Sequence, residues 1–159
     1  MVIGNTVGGL ATDWLLHKTG NTRLARRSVA ITGLLASAVF IVLTALVEDG
    51  YTAVYCLTGA GFFLECTIGA SWSVPMDTAG KYSGTVSAMM NMAGQLVGAT
   101  TSPVVFGLFA QYENWRGPWI VAAILLVLGA GIWGFWLDPA RSVVEKEEAP
   151  PVVVPAAAE

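Results

Sequence analysis

Long apolar runs broken by short polar stretches dominate this chain. Residues 28–47 carry no charged side chain, 50–76 carry only Glu65, and neither 82–112 nor 117–137 carries any. A helix needs roughly 20 apolar residues to cross about 30 Å of hydrocarbon, so the pattern predicts four transmembrane helices. Period-two alternation is absent, which argues against a lipid-facing β-barrel. The fold class expected is therefore an all-α membrane protein. Residues 1–16 include Val2, Ile3, Val7, Leu10, Trp14, Leu15 and Leu16 but are too few to cross a bilayer. They are expected to be the end of a helix truncated at its start, with no basic segment or cleavage site of a signal peptide. The remaining organisation expected is a basic cytoplasmic loop over 17–27, the four-helix segment over 28–142, and a disordered acidic, Pro-rich cytoplasmic tail over 143–159.

Composition sharpens this. Of the 159 residues, 55% are hydrophobic and 12% charged, about half the charge usual for a soluble domain. A net charge of −3 with no basic stripe speaks against nucleic-acid binding. The placement of the basic residues sets the topology. Lys18, Arg23, Arg26 and Arg27 precede the first span, Lys81 lies between the second and third, and Arg141 and Lys146 follow the fourth. Arg116 alone of the eight lies on the other side. By the positive-inside rule both termini of this multi-pass chain of the cell inner (plasma) membrane are expected to be cytoplasmic.

The third span carries a polar stripe. At about 100° per residue, Ser87, Asn91, Gly94, Gln95, Gly98, Thr101 and Ser102 share roughly a third of the helix circumference. Carboxamides are costly in hydrocarbon unless paired or wetted, so this face is expected to meet protein or a water-filled cavity. Asn91 and Gln95, one turn apart, suit a polyhydroxylated and partly anionic solute; equally, they could bond neighbouring helices. Gly94-xxx-Gly98 permits close approach of a helix or ligand, and Pro103 allows a kink beyond it.

In the second span Glu65 is the one ionisable side chain deep within the apolar run, on a face with Thr58, Gly61, Gly69 and Trp72. It reads as a proton or cation site or a polar contact, or else as a protonated or partnered structural carboxyl. Trp72, near Ser71, Ser73 and Pro75, could place an indole against a sugar-like face or anchor the helix at the interface. His17 reads as a surface residue. Cys56 and Cys66 lie about 15 Å apart along one helix, too far for a disulfide. No metal cluster, hydrolytic set or phosphate loop is recognisable, so no cofactor or metal is expected and an enzyme is the least favoured class.

Three segments carry a family resemblance. Gly9-Leu10-Ala11-Thr12-Asp13, followed by a basic stretch ending Arg26-Arg27, resembles the cytoplasmic loop between helices eight and nine of major facilitator superfamily transporters. Here Trp14 follows the aspartate where that family usually has a basic residue, and the loop is longer. The stretch 84–95, from Gly84-Thr85-Val86-Ser87 to Gly94-Gln95 and on through Ser102-Pro103 and Gly107, resembles helix eleven of the anion:cation symporter family within that superfamily. Trp115, Pro118 and Trp136-Leu137-Asp138-Pro139 are similar to its last helix. The resemblance spans about residues 4–142 and implies a fragment of the twelve-helix fold, helices nine to twelve.

It further implies a lipid-embedded transporter of sugar acids or other organic anions, with substrate near mid-membrane between two six-helix halves. Trp72, Ser71, Asn91, Gln95 and Ser87 are then the substrate-facing candidates. Gly9, Asp13, Arg26 and Arg27 become a conformational loop motif. Proton-coupling carboxylates are expected in an N-terminal half that is not part of this sequence, so 1–159 alone is expected not to transport. Two other readings compete: a complete four-helix exporter working as a homodimer around Glu65, and a non-transporting membrane subunit.

Overall fold

A computed structural model describes residues 2–137, and among these no strand occurs. The elements are α1 (Val2–Thr19), α2 (Thr22–Leu46), α3 (Gly50–Ala79), a single 3-10 turn (Gly80–Tyr82), α4 (Ser83–Gln111) and α5 (Gly117–Phe135). The tail over 143–159, with Asp138, Pro139 and Arg141, lies outside the described residues.

Capping residues set the breaks. α1 stops where Gly20 takes a positive φ of 63°, a conformation that costs glycine little. The Gly20 N–H bonds the Leu16 carbonyl at 2.8 Å, and the Asn21 side chain then accepts from the Leu24 N–H at 3.1 Å to start α2. This Gly-then-Asn pair ends one helix and begins the next within two residues. The basic loop expected over 17–27 is therefore mostly helix: His17 and Lys18 lie in the last turn of α1, and Arg23, Arg26 and Arg27 lie within the start of α2. Asp49 caps α3 through Thr52, and Pro118 stands in the first turn of α5, where its missing N–H is harmless.

Among the described residues, three apolar helical stretches are long enough to cross a membrane: Thr22–Leu46, Gly50–Gln111 and Gly117–Phe135. The second has 62 residues. At 1.5 Å per residue it would reach about 90 Å if straight, some three times the hydrocarbon thickness. It divides instead at Gly80, whose φ of 49° and ψ of −120° are not helical. The two parts, α3 and α4, give the second and third of the four helices expected.

α2 packs between α3 and α5, and α1 lies along α3 and part of α2. The buried positions are small: Ala25, Ala30, Ala38, Ala60, Ala70, Ala123 and Ala130. Large apolar side chains such as Val39, Ile124 and Leu128 point outward instead. Water would penalise that arrangement. Lipid does not, because close packing of small residues, rather than burial of large ones, holds helices together there. At the crossing of α1 and α3 the backbones nearly touch. A Cβ on Gly4 would lie 2.7 Å from the Phe62 carbonyl oxygen, and one on Gly8 would lie 2.1 Å from that of Cys66. Phe40 stacks on Phe63 with ring centroids 5.5 Å apart, joining α2 to α3.

Candidate functional site

α4 is the exception to this packing. It contributes no buried residue and, among the described residues, meets only α3, the adjoining turn and α5. Its contact with α5 is made by its C-terminal part: Phe106 packs edge-on against Trp119 with centroids 5.6 Å apart, and the Phe109 ring lies over Gly117. The glycine positions of α4 stand clear. A Cβ built on Gly84, Gly94, Gly98 or Gly107 would find nothing within 4 Å.

The polar stripe is therefore uncovered. Asn91, Gln95, Thr101 and Ser102 are exposed and Ser87 is half-buried. Its position in open space answers part of the question the sequence left open: within the described residues, no helix of this chain takes up the two carboxamides. Gly94-xxx-Gly98 likewise has no partner helix here. The close glycine pair of this structure is Gly4-xxx-Gly8, which the sequence displayed at the same spacing.

On α3 the candidates differ. Ser71 Oγ donates to the Thr67 carbonyl at 2.9 Å, and Ser73 Oγ donates to those of Gly69 and Ala70. Both hydroxyl protons are thus spent on the helix itself, a common refuge for serine in apolar surroundings. Their oxygens keep acceptor capacity only. Trp72 is 39% exposed. No hydrogen bond joins these residues to the α4 stripe among the described residues. Glu65 is half-buried, and its Cβ stands 2.9 Å from where a Gly4 Cβ would be. The carboxylate side chain therefore springs from the α1–α3 crossing and not from the α4 stripe.

Of the loop-motif residues, Arg26 and Arg27 form a clamp at one end of the bundle, while Gly9 and Asp13 lie elsewhere, on α1. Gly9 lies beside Gly69, whose Cβ would sit 3.5 Å from the Gly9 backbone, and Asp13 is exposed on α1. Arg26 forms an ion pair with Asp77 near the end of α3. The Arg26 side chain is only 12% exposed and that of Asp77 33%. Arg27 donates from Nε and Nη2 to the Leu137 carbonyl, at 2.8 and 2.6 Å. A cation there satisfies an orphan carbonyl just past the C-terminus of α5 and complements the negative end of its dipole. Two successive arginines thus tie α2 to α3 and to α5. Asp77 had gone unnoticed in the sequence. Its charge, immediately after the apolar run 50–76, was the available signal.

At the opposite end, Arg116 and Glu48 pair at 3.4 Å, with 57% and 88% of their side chains exposed. Asp49 nearby is held below the ordinary carboxyl range, chiefly by the Thr52 hydroxyl and then by its N–H.

Relatives of known type place these features. Over 148 residues, covering 92% of this chain and 34% of the relative, the sequence is 39% identical to the probable sulfoacetate transporter of Cupriavidus necator. It is 31% identical over 110 residues, 66% of this chain and 23% of the relative, to the probable galactarate/D-glucarate transporter of Escherichia coli. The chain belongs to the anion:cation symporter family of the major facilitator superfamily. A chloroplastic sodium-dependent phosphate transport protein of Arabidopsis thaliana is 24% identical over 86% of the chain and 26% of its own length. The chain thus spans about a quarter to a third of these transporters. No family model matches it, and no solved structure gives a significant match. As a portion of a multi-pass major facilitator protein, the chain would leave uncovered those faces that meet the rest of that fold, and α4 has such a face.

Proposed function

We propose that this chain is the C-terminal part of a secondary active transporter for organic anions such as sugar acids, coupled to protons and not an enzyme. The observation that carries the reading is the uncovered stripe on α4, where Ser87, Asn91 and Gln95 share one face and, among the described residues, the two carboxamides bond no helix. Desolvated carboxamides need partners, and a hydroxylated anion at mid-membrane between two transporter halves would provide them. Trp72, with Ser71 as an acceptor, would form the α3 side of the same site. The similarity to transporters of sulfoacetate and galactarate/D-glucarate supports an organic anion as the substrate class.

Glu65, at the α1–α3 crossing, serves in this reading as a polar contact, and the coupling carboxylates belong to the N-terminal half. The basic clamp of Arg26 and Arg27 faces the cytoplasm of a bacterial inner membrane, with both termini on that side. Gly9, Asp13, Arg26 and Arg27 would act together in the conformational cycle.

Transport of radiolabelled glucarate by the protein at its natural length, in proteoliposomes, tests the proposal. Asn91→Ala and Gln95→Ala are expected to lower uptake at unchanged protein level in the membrane. Normal uptake by both variants would make the stripe a packing surface and overturn the site. Saturable uptake by 1–159 alone would overturn the need for an N-terminal half.

A further inference from the structure

A second feature lies on the other side of the bundle. Between α2 and α5 runs an open groove of about 720 Å³, floored by Ala38 and Ala123, from Leu43 and Ile120 at one end to Leu35 and Leu128 at the other. Its lining is wholly apolar in residue type. Eight residue steps at 1.5 Å give it a length of about 12 Å, close to the roughly 15 Å that one leaflet contributes to the hydrocarbon. At about 100° per residue, these positions lie opposite a smaller groove lined by Ser37, Ala60 and Leu125. That smaller groove is flanked by α3, and Trp119, which meets α4, lies toward the same side. The apolar groove therefore turns away from α3, α4 and the polar stripe.

Charge marks one end of the groove. The Ile120 N–H bonds the Arg116 carbonyl, so Arg116 stands one turn above the groove's start, and Glu48 is paired with it. A cation and an anion side by side at the mouth of a leaflet-long apolar channel match a headgroup that is itself a zwitterion. A purely anionic headgroup would meet repulsion from Glu48. A quaternary ammonium could not donate a hydrogen bond to that carboxylate, whereas a primary ammonium can.

We propose that the α2–α5 groove holds one acyl chain of a phospholipid with an aminoalkyl phosphate headgroup, its phosphate on Arg116 and its primary ammonium on Glu48. The site depends on the chain being membrane-embedded and not on its being a transporter.

Native mass spectrometry of the natural-length protein, offered phosphatidylethanolamine, phosphatidylglycerol or phosphatidylcholine, tests this. Phosphatidylethanolamine is expected to be retained in preference. Arg116→Gln should cut its retention about two- to fivefold, the range of an exposed ion pair, and Glu48→Gln should abolish its advantage over phosphatidylglycerol. Val39→Trp and Ile124→Trp should displace all three lipids. Both side chains are more than half exposed, so the indole fills the groove without entering the helix interface. Equal retention of the three lipids, unchanged in Val39→Trp and Arg116→Gln, would leave only unselective boundary lipid and overturn the site. A dimer of the protein that Val39→Trp dissociates would overturn it in favour of a second copy as occupant.

Discussion

Gly8 offers the sharpest test of how this bundle is held. A Cβ there would lie 2.1 Å from the Cys66 carbonyl oxygen and 2.5 Å from its Cα. Both are backbone atoms of α3, so no side chain can swing aside. Ordinary contact needs a separation more than an ångström greater, and α1 must back away along its crossing with α3. Overpacking of this kind costs about 1–3 kcal/mol. Alanine regains about 0.5–1 kcal/mol of helix preference over glycine, so Gly8→Ala is expected to destabilise by up to about 2.5 kcal/mol net, the upper part of the range applying because both obstructing atoms are backbone. Gly9 is the internal control, since a Cβ there meets nothing within 4 Å. Gly9→Ala should be neutral or slightly stabilising. The assay is maleimide labelling of Cys66, which is 8% exposed, in a Cys56→Ser background of the natural-length protein, alongside thermal unfolding. Retreat of α1 should speed labelling and lower Tm in Gly8→Ala but not in Gly9→Ala. Identical labelling rates and Tm for both variants would refute the close-approach account of the α1–α3 interface.

The clamp makes a second prediction: Arg26→Gln or Asp77→Asn should each cost about 1–3 kcal/mol, between the values for exposed and fully buried pairs. A double-mutant cycle read by thermal unfolding should show coupling, and additive losses would mean that the two side chains do not interact. Replacing Arg27 by methionine should loosen the C-terminal end of α5, seen as faster amide exchange around Leu137, because its carbonyl loses both donors. Asp49 predicts a pH effect with a defined sign. Its folded pKa lies below the ordinary 3.8, so its contribution to holding α3 is complete above that value. It is lost as pH falls through the lower folded pKa. Asp49→Asn, which can still cap, should remove this acid dependence from amide exchange at Thr52. An unchanged acid profile would assign the effect to another group.

Four of the helices were legible because each apolar run is bounded by charges or capping residues, and hydrocarbon leaves the backbone no alternative but helix. The stretch over 17–27 was misread for a specific reason. Its density of basic residues suggested a loop, whereas Gly20 and Asn21 were the actual punctuation, and arginines are good helix formers. The glycine motifs show a different limit. Gly4-xxx-Gly8 and Gly94-xxx-Gly98 have the same spacing, yet only the first has a neighbour to touch. Spacing identifies a surface able to approach closely, but the identity of the approaching helix is a tertiary fact. Asp77 illustrates the same point for charge: its partner Arg26 is distant in sequence, and only the antiparallel course of α2 and α3 brings them level.

The two ends of the α2–α3–α5 group are fastened unequally, and that bears on which of its helices can move. At one end Arg26 and Arg27 make mostly buried or bidentate contacts to α3 and α5. At the other, the single Arg116–Glu48 pair is exposed and long, a type that contributes little. α4, meanwhile, is attached to the group through the Gly80 turn and the Phe106–Trp119 and Phe109–Gly117 contacts. Its glycine-rich middle is free of helix neighbours. A helix tethered at its ends and loose between them can tilt against α3 without breaking the clamp. Pro103 lies between the polar stripe and the Phe106 contact, with Gly107 just beyond it, and the backbone hydrogen bond lost at Pro103 lets the helix bend. The stripe could thus change its angle to the rest of the site while Phe106 and Phe109 stay docked. Such motion would move the groups proposed to bind substrate without unpacking the small-residue interfaces that hold α1, α2, α3 and α5.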